Sequence, residues 1–497
     1  MKDSVSFVLR VFLVTFFVHF VPWWFISPAK AERPNFVFII ADDVSPDDLP
    51  CYAPSPVRTP SLDRLAAEGL VFDRAYLTCS SCSPTRCSII TGRYPHNTGA
   101  PELHMPLPAG QFMFPRALRE AGYYTVLAGK NHMGPAVDAA FDAVTPPAGA
   151  GGEKNWVKHL RERPQDKPFF MWFASTDAHR AWQTTEQVPV YDPTTAVVPP
   201  FLVDGPQTRE DFAAYYHEIS RLDRFVGEVV DELKRQGIAE NTYIIFTADN
   251  GRPFPRCKTR LYDSGVKTPF IVWRPGTIKP GRTESLASVI DIAPTVLQLA
   301  GVAIDSRVQG VSLEPVLAKP QAAVRDYAFS EHNWHVGQAH ERSVRDGRWL
   351  YIRNAYPALQ SLCVESGPAE PAGRELWMGY AAGTLKPEQG DVFLQPRPAE
   401  ELYDVEADPH QLNNLLTDSR QAAEHEADRV RLRQLLDRWT EETGDTAPTN
   451  PTPGANVVGR GQGMGKNFKH LELPGEAKNA SAIKAPGPIR EIRSDSR

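Results

Sequence analysis

Cys82 opens the run C-S-P-T-R-C-S-I-I-T, and Thr91 is followed by Gly92 and Arg93. A cysteine with proline two residues on, arginine four on and a T-G-R close is far more specific than an isolated cysteine pair. Proline favours the first turn of a helix and Ser83 is a good N-cap, so the pattern predicts a helix with Cys82 just before its N-terminus. Free N–H groups and the helix dipole favour an anion there, and Arg86 falls one turn in. The segment also contains Cys79-Ser80-Ser81-Cys82, a C-x-x-C that reads as a redox pair or half of a zinc site. Zinc would need a second C-x-x-C or a nearby His pair, and the chain offers neither. A redox pair would leave Arg86 and the T-G-R unexplained.

A second set of residues points to a cation. Asp42, Asp43, Asp249 and Asn250 are oxygen donors, which suits Ca²⁺ or Mg²⁺ rather than zinc. Singly, each pair also reads as a turn: Asp-Asp as a helix cap and Asn250-Gly251 as a hairpin signal. Lys130, His132, His179 and Lys258 are the cationic or titratable groups nearest such positions. The loop Arg252 to Arg260 carries four cations in R-P-F-P-R-C-K-T-R and reads as a patch for an anionic substrate.

The elements that must position these groups are strands. Asn35–Ile40 ends in Ala41-Asp42-Asp43, and Tyr243–Thr247 ends in Ala248-Asp249-Asn250. Thr125–Ala128 runs into Gly129-Lys130-Asn131-His132, and Phe169–Phe173 into Asp177-Ala178-His179-Arg180. Ligands of open α/β sheets bind beyond the carboxyl ends of strands, so four strands that each deliver polar groups there carry more weight than any one cluster. Between them, Thr59-Pro60 starts a helix that Gly69 stops, and Phe212 to Leu233 keeps a three-four spacing closed by Gly237. The alternation predicts an α/β fold: a large, mostly parallel sheet flanked by helices.

At 497 residues the chain has room for one large domain and a smaller one. A net charge of −6 argues against general nucleic-acid binding. Residues 1–31 read as a signal peptide: Lys2 and Arg10 precede an apolar run, and Ala29-Lys30-Ala31 fits a cleavage site, with no stable membrane span after cleavage. That places the mature protein outside the cytoplasm, secreted or periplasmic, or lysosomal in a eukaryote. A catalytic domain is expected over 32–326. A smaller α+β unit over 327–446 combines a short antiparallel sheet with a helix from about Arg420 to Glu442. A Pro- and Gly-rich tail over 447–497 is expected to lack regular structure.

Several strings resemble the type I sulfatases of the alkaline phosphatase superfamily. These are R-P-N-F-V-F-I-I-A-D-D, the Cys82 motif, G-K-N-H at Gly129, and L-Y-D-V-E-A-D-P-H-Q-L-N-N-L at Leu402. Within that family S-C-S-P-T-R, G-K-N-H-M-G-P, D-A-H-R, D-N-G-R-P-F-P and S-E-H-N-W-H are most similar to the sulfamidases. Ala178 stands where sulfamidases usually carry proline, and Lys258 where many carry arginine. The resemblance implies that a maturation enzyme converts Cys82 to formylglycine, whose hydrate attacks sulfur. The other five cysteines then leave at least one thiol without a disulfide partner in the chain. It also implies a divalent metal, Ca²⁺ before Mg²⁺, on Asp42, Asp43, Cys82, Asp249 and Asn250. Arg86 then holds the hydrate or the sulfate, Lys130 and Lys258 neutralise charge on the sulfate, His179 protonates the leaving atom, and His132 helps release sulfate. Glu331, His332, His335 and Arg342 fall where sulfamidase-like enzymes contact the sugar, although an ordinary polar loop fits them as well. N-sulfated glucosamine leads as substrate and an O-sulfated sugar follows. A phosphatase or phosphodiesterase of the same fold, and a non-catalytic sulfated-glycan binder, are the rival readings.

Overall fold

The computed structural model describes residues 33–360, 362–454 and 470–490. Residues 1–31, expected to form a signal peptide, and the alternating glycines Gly459 to Gly465 lie outside them. In chain order the strands are β1 (Asn35–Ala41), β2 (Leu70–Phe72), β3 (Ala75–Tyr76), β4 (Tyr124–Gly129), β5 (Ala143–Thr145), β6 (Phe169–Ala174) and β7 (Thr242–Ala248). They continue as β8 (Phe270–Trp273), β9 (Gly281–Thr283), β10 (Ala287–Ser288), β11 (Ala328–His332), β12 (Glu341–Arg345), β13 (Trp349–Asn354) and β14 (Glu400–Asp404).

Eight of them form one sheet in the order β5-β4-β6-β1-β7-β8-β2-β9. The five from β5 to β7 are parallel, and only β8 runs against the rest. Both faces are covered, so β1 reads as a continuous apolar run rather than an alternation. Phe36, Phe38 and Ile40 point into one core, while Val37, Ile39 and Ala41 point into the other. The second core takes the apolar face of the 30-residue helix Pro206–Arg235, including Phe212, Ile219, Leu222, Val226 and Leu233. That helix begins earlier than its spacing shows because Gly205 and Pro206 supply the start.

The register sets the site. Ala41 pairs with Ala248, Ile40 with Ala174 and Gly129 with Ala174, so the four polar clusters leave the sheet at one edge and one level. Gly129 has φ +110°, and a Cβ there would lie 1.8 Å from the Ala174 carbonyl oxygen. Only glycine lets β4 turn so tightly into Lys130.

The smaller sheet is antiparallel, in the order β11-β12-β13-β14. The helix Glu426–Thr443 covers it with Leu432, Leu436 and Trp439, and Tyr94 and Ile290 from the larger unit complete that core. The expected single helix from Arg420 is divided, with Ser419–Glu424 as a separate piece.

The tail departs from expectation. Over 470–490 it is tied down through its backbone: Arg93 donates to Ser481 O and Ile483 O, Asn97 to Ala480 O, and Gln309 to Ala485 O. Glu102 accepts from Thr452 Oγ1 and pairs with His470 Nδ1, each at 2.7 Å.

Candidate active site

The helix carrying the cysteine motif runs from Cys82 to Thr91, two residues earlier than expected, with Ser81 rather than Ser83 as N-cap. Ser81 O accepts from Thr85 N at 3.0 Å, while its hydroxyl lies 2.7 Å from His335 Nδ1 instead of capping the helix. Cys82 therefore occupies the first helical position, in reach of the free N–H groups and the positive end of the dipole. It is buried, and burial pushes its thiol up to about 12 despite Lys130 and Lys258 nearby. A thiol in that state supplies almost no thiolate at neutral pH.

Around it the sheet edge delivers its carboxylates. One ligand atom each from Asp42, Asp43 and Cys82 lie within 4.8 Å of one another, all buried. Asp249 Oδ1 accepts from Asp43 N at 3.2 Å, and Asn250 Nδ2 donates to Asp43 Oδ1. Asp42 Oδ1 and Asn250 Oδ1 are buried oxygens with no hydrogen-bond donor. Buried oxygens without donors are what a hard cation satisfies, so the oxygen-donor chemistry of these residues fits Ca²⁺ or Mg²⁺.

Three cations compensate the carboxylates. Arg86 Nε and Nη2 each lie 2.8 Å from Asp249 Oδ2, and Arg86 Nη1 donates to Lys130 O at 3.0 Å. Lys130 Nζ pairs with Asp42, and Lys258 Nζ donates to both oxygens of Asp43 at 2.8 and 2.9 Å. Asp43 holds φ +59°, a left-handed conformation that Asp tolerates.

His179 lines a cavity of about 370 Å³ whose wall also carries Asp42, Lys130, Asp177, Arg180, Gln183 and Glu218. Arg180 is spoken for: it pairs with Asp211 at 2.6 and 2.7 Å and lies over the Trp182 ring. His132 Nε2 lies 2.7 Å from His104 Nδ1, and burial drives the His132 imidazole well below its ordinary value.

Not every expected residue arrives. Of the four cations between Arg252 and Arg260 only Lys258 meets the site. Arg252 pairs with Asp48 at 3.3 Å, Arg256 with Asp391 at 2.6 Å, and Arg260 lies 4.0 Å from Asp391. The expected anion patch is therefore mostly buried framework. Glu331 is enclosed by His96 at 2.9 Å, Asn333 at 2.9 Å and Arg342 at 3.5 Å. Arg342 in turn makes a two-point pair with Asp445 at 2.6 and 2.8 Å. His332 lies 3.5 Å from Glu341, and only His335 connects to the cysteine helix, through Ser81. The residues that sequence reasoning passed over are His104, Glu218 and Arg221, and it gave Asp177, named within the polar cluster after Phe169–Phe173, no role of its own. They lie in a loop and along a helix whose pattern signals only packing.

All six cysteines are free thiols, and Cys79 Sγ turns to Thr85 Oγ1 at 3.3 Å, which leaves the redox-pair reading without its disulfide. Among the described residues no helix is long and apolar enough to cross a membrane.

The sheet edge gathers a buried cysteine, oxygen donors and cations, the equipment of an enzyme with an α/β fold that acts on an anionic substrate. Residues 34–146 and 153–302 match the Sulfatase family, and 257–360 match the family described as N-sulphoglucosamine sulphohydrolase, C-terminal. The chain belongs to the sulfatase family and is an enzyme that hydrolyses sulfate esters or sulfamates. It is 31% identical over 470 residues to an ulvan-active sulfatase of Formosa agariphila, covering 84% of this chain and 76% of that one. It is 30% identical over 464 residues to the N-sulphoglucosamine sulphohydrolase of Homo sapiens, covering 84% of this chain and 91% of that one. A solved protein in complex with its substrate D-glucosamine-2-N,6-O-disulfate shares the fold at a TM-score of 0.63 and 20% identity, over 82% of this chain and 98% of that one.

Proposed function

We propose that this sulfatase removes the sulfate of a sugar, with N-sulfoglucosamine as the leading substrate and an O-sulfated sugar as the second. The observation that carries the reading is the grouping of Cys82 with Asp42 and Asp43, cations paired to the carboxylates of Asp42, Asp43 and Asp249, and a sugar-sized cavity that Asp42 and Lys130 line together with His179. The human relative and the C-terminal family match favour the N-sulfate, and the ulvan-active relative favours the O-sulfate.

In this reading Cys82 is matured to formylglycine by a separate enzyme, and Asp42, Asp43, Asp249 and Asn250 would hold a divalent cation that, when bound, would supply Lewis-acid polarisation of a sulfate oxygen. The chain's own residues do the rest. Lys130 and Lys258, already at the carboxylate edge, neutralise charge that builds on the sulfate. Arg86 fixes Asp249 and reaches across to Asp42 at 3.8 Å, holding the donor set in shape. His179 delivers a proton to the leaving oxygen or nitrogen, and His132 takes one up when sulfate departs. His335 holds Ser81 and so the start of the cysteine helix.

The test is turnover of N-sulfoglucosamine beside O-sulfated sugars, for the wild type and His179→Ala. The variant should lose about 10² to 10⁴ in rate on the natural substrate. Unchanged turnover would remove His179 from the acid role, and a preference for O-sulfate would move the substrate to the second reading.

A further inference from the structure

His132 is paired with a second histidine. Its Nε2 lies 2.7 Å from His104 Nδ1, so the two imidazoles share one proton in an N–H···N bond. The other nitrogen of His132, Nδ1, is buried without a hydrogen-bond partner. His104 is exposed to solvent. Its backbone is held in a left-handed turn, φ +66°, with its N–H donated to Ser83 Oγ at 2.8 Å, which ties the loop to the first turn of the cysteine helix. The order is a buried free nitrogen, a ring, a shared proton, a second ring, and water.

Resting on the reading above, we infer that His104 is the outer half of a proton relay, through which His132 returns to solvent the proton it takes up at the site. A proton enters at His132 Nδ1, the Nε2 proton passes to His104 Nδ1, and His104 releases one from Nε2 to water. The donor at the site loses its proton, water gains one, only N–H bonds change within the two rings, and each ring ends neutral after its tautomer resets.

The surroundings require such an exit. The charges acting most on His132 come from Lys130, His104, Arg86 and Lys258, and those on His104 from Lys130, Lys258, His470 and His179. Burial and these cations disfavour a resting imidazolium on either ring. A base that cannot keep its proton must hand it on, and His104 is the group within hydrogen-bond reach of its outer nitrogen.

The test compares wild type, His104→Ala and His104→Asn on an aryl sulfate and on N-sulfoglucosamine, so that failure of the sugar reading leaves the relay measurable. Melting temperature and the mass of the Cys82 peptide control for folding and maturation. The relay is expected to cost His104→Ala about 10²-fold in kcat with KM little changed. Added imidazole should restore rate in proportion to its concentration. His104→Asn can still orient His132 but cannot pass a proton, so it should stay slow. Three results would overturn the relay: undiminished kcat in His104→Ala, wild-type kcat in His104→Asn, or no imidazole rescue. A low-field imidazole proton resonance, present in wild type and lost in His104→Ala, checks the shared proton without any substrate.

Discussion

Lys258 Nζ lies between the two carboxylate oxygens of Asp43, 2.8 Å from one and 2.9 Å from the other, with both side chains buried. Lys130 meets one oxygen of Asp42, and Arg86 one oxygen of Asp249. Each carboxylate of the proposed cation site is thus held by a cation of the proposed sulfate clamp. A divalent ion bound there would take over part of that compensation and leave the lysines able to meet a sulfate. Calcium should therefore raise the melting temperature, by an amount equivalent to about 2.7 kcal/mol at about 100 times its dissociation constant. Asp43→Asn should abolish most of that rise. Equal melting curves with and without Ca²⁺ or Mg²⁺ would leave the oxygen cluster without a metal role.

Cys82 gives a second expectation. Its thiol, pushed up to about 12 by burial, is a poor nucleophile as it stands. Active protein should therefore yield a Cys82 peptide with the mass of the aldehyde, and Cys82→Ala should lose turnover while melting normally. Full activity in protein whose Cys82 remains a thiol would refute the maturation.

The four strand ends were legible in the sequence because a parallel sheet buried on both faces writes each strand as an apolar run, and polar residues mark where it stops. Their convergence then follows from register. The basic loop was misread because charge is visible in a sequence while its neutralisation is not: Asp48 and Asp391 lie far from Arg252 and Arg256 along the chain. The tail misled for a related reason. Arg93, Asn97 and Gln309 grip it by backbone carbonyls, which have no signature in residue type. His104 was missed because a loop histidine gains meaning only from what stands opposite.

Arg342 separates framework from specificity. It is buried, pairs with Asp445 at two points and approaches Glu331, whose carboxyl is held low by His96 and Arg342 against the effect of burial. Arg342→Ala strands a buried Asp445 and should cost about 3 to 5 kcal/mol of stability. Chemical denaturation measures this directly. The variant's KM for the sugar, measured on the folded fraction, should stay near wild type. A raised KM at unchanged stability would return Arg342 to the substrate contacts.

Glu218 offers a test by pH. It lies in the cavity wall, accepts from Gln183 N at 2.7 Å, approaches Arg221 at 3.1 Å, and keeps its buried Oε2 without a donor. Burial first, and then the negative charge of Asp177, push its carboxyl up to about 8. A folded value above the unfolded one means that the native state holds a proton the unfolded chain would release. The stability this contributes is complete below the ordinary glutamate value, near 4.5, and is lost as pH rises through about 8. Glu218→Gln is neutral at every pH. It should therefore melt above wild type at about pH 9, with the difference shrinking toward about pH 5. A gap that stays constant across that range would mean that Glu218 ionises as an ordinary carboxylate and that the cavity wall is negatively charged when the sugar binds.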